Sequence, residues 1–177
     1  MSSTKNMDLA FAALLSKDAD QVLTALARIE KGGDARAIRP LLHALATTQE
    51  DHIRQRITKL LNEVKVMNAT DELLLALDEP ALASVRVTVL SVFWNAGLDV
   101  RDHLDRFVTI ALDGNGEECF ECLTVIENQE IWPERATRSA AARVRKALPD
   151  EGNSYKASLL NDLLAVLEYR LGTDEGQ

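Results

Sequence analysis

The chain has 177 residues, 46% of them hydrophobic, and carries a formal net charge of −8 from 28 acidic and 20 basic side chains. That length suits one domain with a continuous apolar core, and the acidic balance argues against a phosphate backbone as partner unless basic residues segregate on one face. Cys119 and Cys122 are too few for a disulfide framework, and no stretch reaches the roughly 18 uninterrupted apolar residues of a membrane span.

The N-terminus MSSTKNMDLA has neither a basic opening nor a secretory apolar run, so the expectation is a cytoplasmic protein with no membrane contact. From there the predicted elements come in pairs. Over residues 7–31 a helix closes on Ala13-Leu14, and DADQVLTALARI follows, with apolar residues at i, i+3 or i+4, and i+7, the pattern of an amphipathic helix. Gly32-Gly33 ends it, and Asp34 is placed to cap what comes next. Over residues 35–65, RPLLHAL ends on Ala44-Leu45 and leads into QEDHIRQRITKLL. Over residues 69–97, DELLLAL ends on Ala76-Leu77 and leads into PALASVRVTVLSVF. Residues 99–131 close their first helix on Ala111-Leu112 and continue as GEECFECLTVI; residues 134–171 close theirs on Ala147-Leu148 and reach the last helix through DEGNSYKA. Asp20, Asp51 and Ser84 stand at or near helix starts, Pro80 sits in a connection, and Asn68, Gly97, Gly114 to Gly116 and Trp132-Pro133 mark the remaining breaks.

The pairs recur at a near-constant period. Leucines 14, 45, 77, 112 and 148 are spaced by 31, 32, 35 and 36 residues, and eight positions after the first four stand Val22, Ile53, Val85 and Phe120. Five helical pairs of this kind predict stacked units that bury their apolar faces against one another. Val85 to Phe93 is rich in β-branched residues and alternates like a strand. The repeat phase nevertheless predicts a helix there, because a lone strand would have no partner.

Pro40 before Leu41, Asp78 and Pro80 in the turn, and the pairs Ile53-Arg54 and Val85-Arg86 opening second helices resemble the pattern of HEAT-repeat proteins, a group related to the phycobilisome-lyase and armadillo types. The pattern departs at Leu23 and Glu121, which stand where that arginine belongs. The resemblance implies an all-α fold, a right-handed α-α superhelix of about five helical hairpins. It also implies that second helices line the concave side, where partners commonly bind.

Motifs that carry chemistry are weak. Cys119-Phe120-Glu121-Cys122 lacks the βαβ setting of a redox motif and two further ligands for zinc, so both cysteines read as packing residues. Asp113-Gly114-Asn115-Gly116-Glu117 begins like a calcium loop, but Glu118 replaces the sixth-place glycine and Thr124 the terminal glutamate; a turn followed by acids at a helix start is sufficient. His43, His52 and His103 are isolated, with none of the His-Glu pairs of HEAT-like iron hydroxylases. Arg135, Arg138, Arg143, Arg145 and Lys146 form a basic stretch of the kind HEAT-like DNA glycosylases use, but only Trp132 accompanies it, and a solvated face paired with acids is the expectation.

With no catalytic residues, metal site or cofactor expected, the function expected is a non-catalytic scaffold for a protein or peptide, and no nucleic acid. Candidate contacts are polar positions on the second helices: Arg56, Lys59 and Glu63; Thr88, Ser91 and Asn95; Thr124, Glu127 and Asn128. Trp94 is either an aromatic anchor for the partner or the filler of a gap between repeats. The alternatives weighed are a chromophore lyase or chaperone-like factor of the phycobilisome-lyase type and, third, a DNA-repair glycosylase.

Overall fold

The computed structural model describes residues 3–174, and among these every regular element is helical. In order these are α1 (Ser3–Ala13), α2 (Ala19–Gly32), α3 (Ile38–Thr47), α4 (Asp51–Asn62), α5 (Ala69–Ala76), α6 (Arg86–Asn95), α7 (Leu104–Asp113), α8 (Gly116–Asn128), α9 (Glu134–Ala147) and α10 (Ser154–Asp174). Short 3-10 segments at Ala35–Ala37 and Pro80–Val85 lead into α3 and α6, and a third, Leu148–Asp150, follows α9. The helices gather into two compact units that divide between Leu98 and Asp99.

Side-chain caps set several of the boundaries. The Asp18 carboxylate accepts from the Asp20 amide to start α2, and Asp34 accepts from the Arg36 amide to start the 3-10 turn before α3. At α8, Asn115 accepts from the Glu118 amide while Glu118 accepts from the Asn115 amide, a reciprocal capping box. The glycine-rich loop ahead of α8 is therefore a helix start, with the Asn115 side-chain oxygen spent on a backbone amide.

Helix α6 is where local propensity and packing disagree most. Its β-branched run costs less than about 0.7 kcal/mol per residue relative to alanine, whereas burying each large apolar side chain contributes about 1.5–3 kcal/mol. Val89, Leu90, Val92 and Phe93 are all buried, so packing wins and the segment is helical. It ends at Gly97, whose φ of 63° is left-handed; the Leu98 amide donates to the Phe93 carbonyl and the Gly97 amide to that of Trp94, the paired bonds of a Schellman motif.

In the first unit α1 packs on α2, α3 on α4 and α5 on α6, while α1, α3 and α5 form one layer and α2, α4 and α6 the other. Between the layers lie Leu26, Ile38, Leu42, Leu45, Ile57 and Leu90. Arg54, on the first turn of α4, donates to the carbonyls of Leu45 at 2.8 Å and Thr48 at 3.4 Å, satisfying orphan acceptors at the end of α3. The arginine of the Ile-Arg pair is thus a structural cap between the two helices of its hairpin.

The second unit has the same plan: α7 pairs with α8 and α9 with α10, α7 lies against α9, and α8 lies against α10. Two cations of α10 close the ends of the other hairpin. Lys156 Nζ donates to the carbonyls of Leu112 at 2.6 Å and Gly114 at 2.8 Å, at the end of α7, and pairs with Glu151 at 3.3 Å. The Arg170 guanidinium donates to the carbonyls of Ile126, Glu127, Gln129 and Glu130, at the end of α8. Both place positive charge where the helix dipole favours it. Burial among those carbonyls lowers the Arg170 pKa from its ordinary value.

Candidate interaction surface

The ten candidate contact residues divide between the units. Arg56, Lys59, Glu63, Thr88, Ser91, Trp94 and Asn95 belong to the first; Thr124, Glu127 and Asn128 belong to α8 in the second.

On α4 the candidates point to different sides. Arg56 leans to α2, where it donates to Glu30 at 2.9 Å; both partners are well exposed, so the pair contributes at most about 1 kcal/mol. Lys59 and Glu63 instead line an open depression of about 510 Å³ together with Arg54, Gln55, Thr58 and Asn62. At this depression the Asn62 Oδ1 atom is buried and has no protein donor in reach. A buried acceptor left unsatisfied costs about 1–3 kcal/mol, and because this oxygen is closed off from solvent the cost is borne within the fold.

On α6 the polar candidates are mostly turned to their own backbone. Ser91 donates to the Thr88 carbonyl at 2.8 Å, and the Asn95 amide donates to that of Ser91 at 2.9 Å. Thr88, Ser91 and Trp94 are half-buried and Asn95 is exposed. The same device recurs on α8, where Thr124 donates to the Phe120 carbonyl and the Asn128 amide to that of Thr124 at 2.8 Å. The two Asn amide oxygens take no part in these bonds. Burial along the two helices matches at a shift of 33 residues, Val89, Leu90, Val92 and Phe93 answering to Cys122, Leu123, Val125 and Ile126. At that shift Ser91 answers to Thr124 and Asn95 to Asn128.

Two features draw mainly on residues outside the candidate set, although Glu63 also lines the first. Beside the depression's far flank a pocket of about 200 Å³ opens between α2, α3 and the end of α4, lined by Ile29, Ile38, Leu41, Leu61, Val64 and Val66 among others. On the α3 side, Arg39 donates to Glu79 Oε2 at 2.6 Å and His43 Nε2 lies 2.7 Å from Glu79 Oε1. The Arg39 guanidinium, with a smaller contribution from His43, lowers the Glu79 pKa against a modest burial cost. Sequence spacing shows Arg39 and His43 on one helical face but carries no sign of the distant Glu79.

The remaining motifs resolve simply. Cys119 and Cys122 are buried reduced thiols inside α8, and burial pushes the Cys119 pKa up to about 11. In the basic stretch of α9, Arg138 pairs with Glu134, Arg143 with Asp105 and Arg145 with Glu168. Trp132 is buried and donates to the Ile126 carbonyl at 3.1 Å. Among the described residues no group of three or more His, Cys, Asp or Glu is placed to hold a metal ion, and no helix is long and apolar enough to cross a membrane.

No protein-family model matches the chain, and no curated protein matches it.

Proposed function

We propose that this chain is a HEAT-like repeat protein, a right-handed α-α solenoid of about five hairpins, acting as a non-catalytic scaffold that binds a protein or peptide segment on the exposed side of its second helices. The observation that carries the reading is the open α4 depression, lined by Lys59 and Glu63 together with Arg54, Gln55, Thr58 and Asn62. A peptide segment supplies the complementary set: side chains of either sign for Lys59 and Glu63, and backbone groups for the uncharged polar side chains between them. The open form of the depression suits a chain laid across it better than an enclosed small molecule. Half-buried Trp94 on the adjacent α6 offers apolar area of the kind that dominates binding energy when a partner covers it.

Selection of displayed random peptides against the full chain tests this. Selected peptides are expected to lose about tenfold or more in affinity for Lys59→Glu or Trp94→Ala protein whose circular dichroism is unchanged. Peptides that bind all substituted proteins of α4, α6 and α8 as tightly as the original chain would overturn the reading.

A further inference from the structure

The formal charge is distributed very unevenly. The first unit carries eleven basic against twelve acidic side chains, net −1, and the second nine against sixteen, net −7. Between Arg106 and Arg135 there is no basic residue at all, and α8 lies within that interval.

Helices α8 and α10 run side by side in the same direction. At their starts the Tyr155 ring lies against Gly116, so closely that a Cβ on that glycine would sit 2.7 Å from the ring. At their ends Arg170 reaches the last carbonyls of α8. Phe120 follows Gly116 by one helical turn, on the same flank, and its side chain leans back towards the helix start. Phe120 is 45% exposed and Tyr155 54% exposed. Exposed Glu117 shares a face of α8 with Phe120 at i, i+3, and exposed Asp162 shares a face of α10 with Tyr155 at i, i+7. The two cations of α10 are already engaged, Lys156 with α7 carbonyls and Glu151, Arg170 with the end of α8.

Resting on the reading that second helices bind a partner, we propose that the α8–α10 face of the second unit docks an arginine-rich, basic segment of a partner protein. Arginine fits better than lysine, because a planar guanidinium stacks on an aromatic ring while its edge pairs with a carboxylate in two-point fashion. Phe120 and Tyr155 supply the ring faces; Glu117 and Asp162 supply the carboxylates. A net charge of −7 on the unit raises the encounter rate with such a segment and repels anionic surfaces.

Fluorescence anisotropy of the full chain with a fluorescein-labelled arginine, glycine and serine peptide tests this, with lysine and glutamate versions as comparators. Saturable binding is expected, tighter for arginine than lysine and absent for glutamate. Phe120→Ala and Tyr155→Ala are each expected to weaken it about tenfold, and Glu117→Gln with Asp162→Asn about fivefold with a shallower salt dependence. Glu134→Gln, on α9, is the control and should change nothing. Phe120→Ala guards against a folding defect, since that ring is solvent-facing, and buried Trp132 reports whether the unit stays folded. Equal affinity after both aromatic substitutions, or equal loss with Glu134→Gln, overturns the inference in favour of diffuse charge attraction. No binding of the arginine peptide by the unsubstituted chain also overturns it, while display-selected peptides that still depend on Lys59 would leave the proposed function standing.

Discussion

Replacing Lys156 by methionine keeps the apolar stem and removes the ammonium group that ties α10 to α7. Lys156 is 8% exposed and its partner Glu151 has a side chain 18% exposed, so water replaces little of what is lost. Two charge-assisted bonds to carbonyls, at 2.6 and 2.8 Å, disappear, and the Glu151 carboxylate loses its cation while still accepting from the Asn153 amide at 2.9 Å. Bonds to charged groups are worth about 1.5–3 kcal/mol each, a cation at a helix end up to about 2 kcal/mol, and breaking a buried pair about 3–5 kcal/mol. These figures overlap and are not additive, and the released carbonyls regain some water, so the expected loss is about 2–4 kcal/mol. With an m-value of about 1–3 kcal/mol/M, the urea midpoint falls by about 1–2 M. The two tryptophans give each unit its own reporter: Trp132 in the second, Trp94 in the first. In a Trp94→Phe background, Trp132 fluorescence should shift while the first unit's transition, read from Trp94 in the converse background, stays put. In the Lys156→Met protein, Glu151→Gln should cost less than in the original chain, because the carboxylate has already lost its cation. A loss below about 1 kcal/mol, or strict additivity of the two substitutions, would refute the argument that Lys156 closes the hairpin.

Arg170→Met should destabilise the same unit by about 2–3 kcal/mol by freeing the carbonyls at the end of α8, and Arg170→Lys should recover only part of it, since a point charge cannot reach four acceptors; Trp132 fluorescence measures both. Glu79 has a lowered pKa in the folded state, so its contribution is present above the unfolded value of about 4.5 and is lost as pH falls through the folded value. Glu79→Gln should therefore cost about 0.5–1 kcal/mol at neutral pH and flatten the acid limb of first-unit stability, seen by Trp94 fluorescence below about pH 4.5. Burial and a pKa near 11 should keep Cys119 unlabelled by a thiol reagent at pH 8 until urea unfolds the unit, so labelling kinetics should track unfolding.

The helical character of the chain was legible because period and composition agree over most of it. Leu41, Leu42 and Leu45 in α3, or Val22, Leu26 and Ile29 in α2, fall on buried faces as their spacing requires. In α6 alternation and propensity both point to a strand, and the helix expected there from the period of the chain is the element observed. The 3-10 turn at Pro80–Val85 escaped notice, since its apolar Leu82 and Val85 continue the helical pattern and only hydrogen bonding separates it from α6. The phase between α6 and α8 was misjudged because Phe120 took the place of a core residue; it is exposed, and the core phase runs through Cys119, Cys122 and Leu123. The caps by Arg54, Lys156 and Arg170 join a side chain to distant backbone carbonyls, which have no letter in the sequence. For the same reason Ser91, Asn95, Thr124 and Asn128 look more available on a helical wheel than they are, their donors being spent on their own helices.

The most direct test of the interaction-scaffold account is hydrogen exchange on the full chain with and without a saturating display-selected peptide. The account predicts slowed exchange in the second helices, α4 and α6 or α8 and α10, with α3, α5, α7 and α9 unchanged. Protection centred on those first helices, or on the Arg39, His43 and Glu79 side of the first unit, would contradict it.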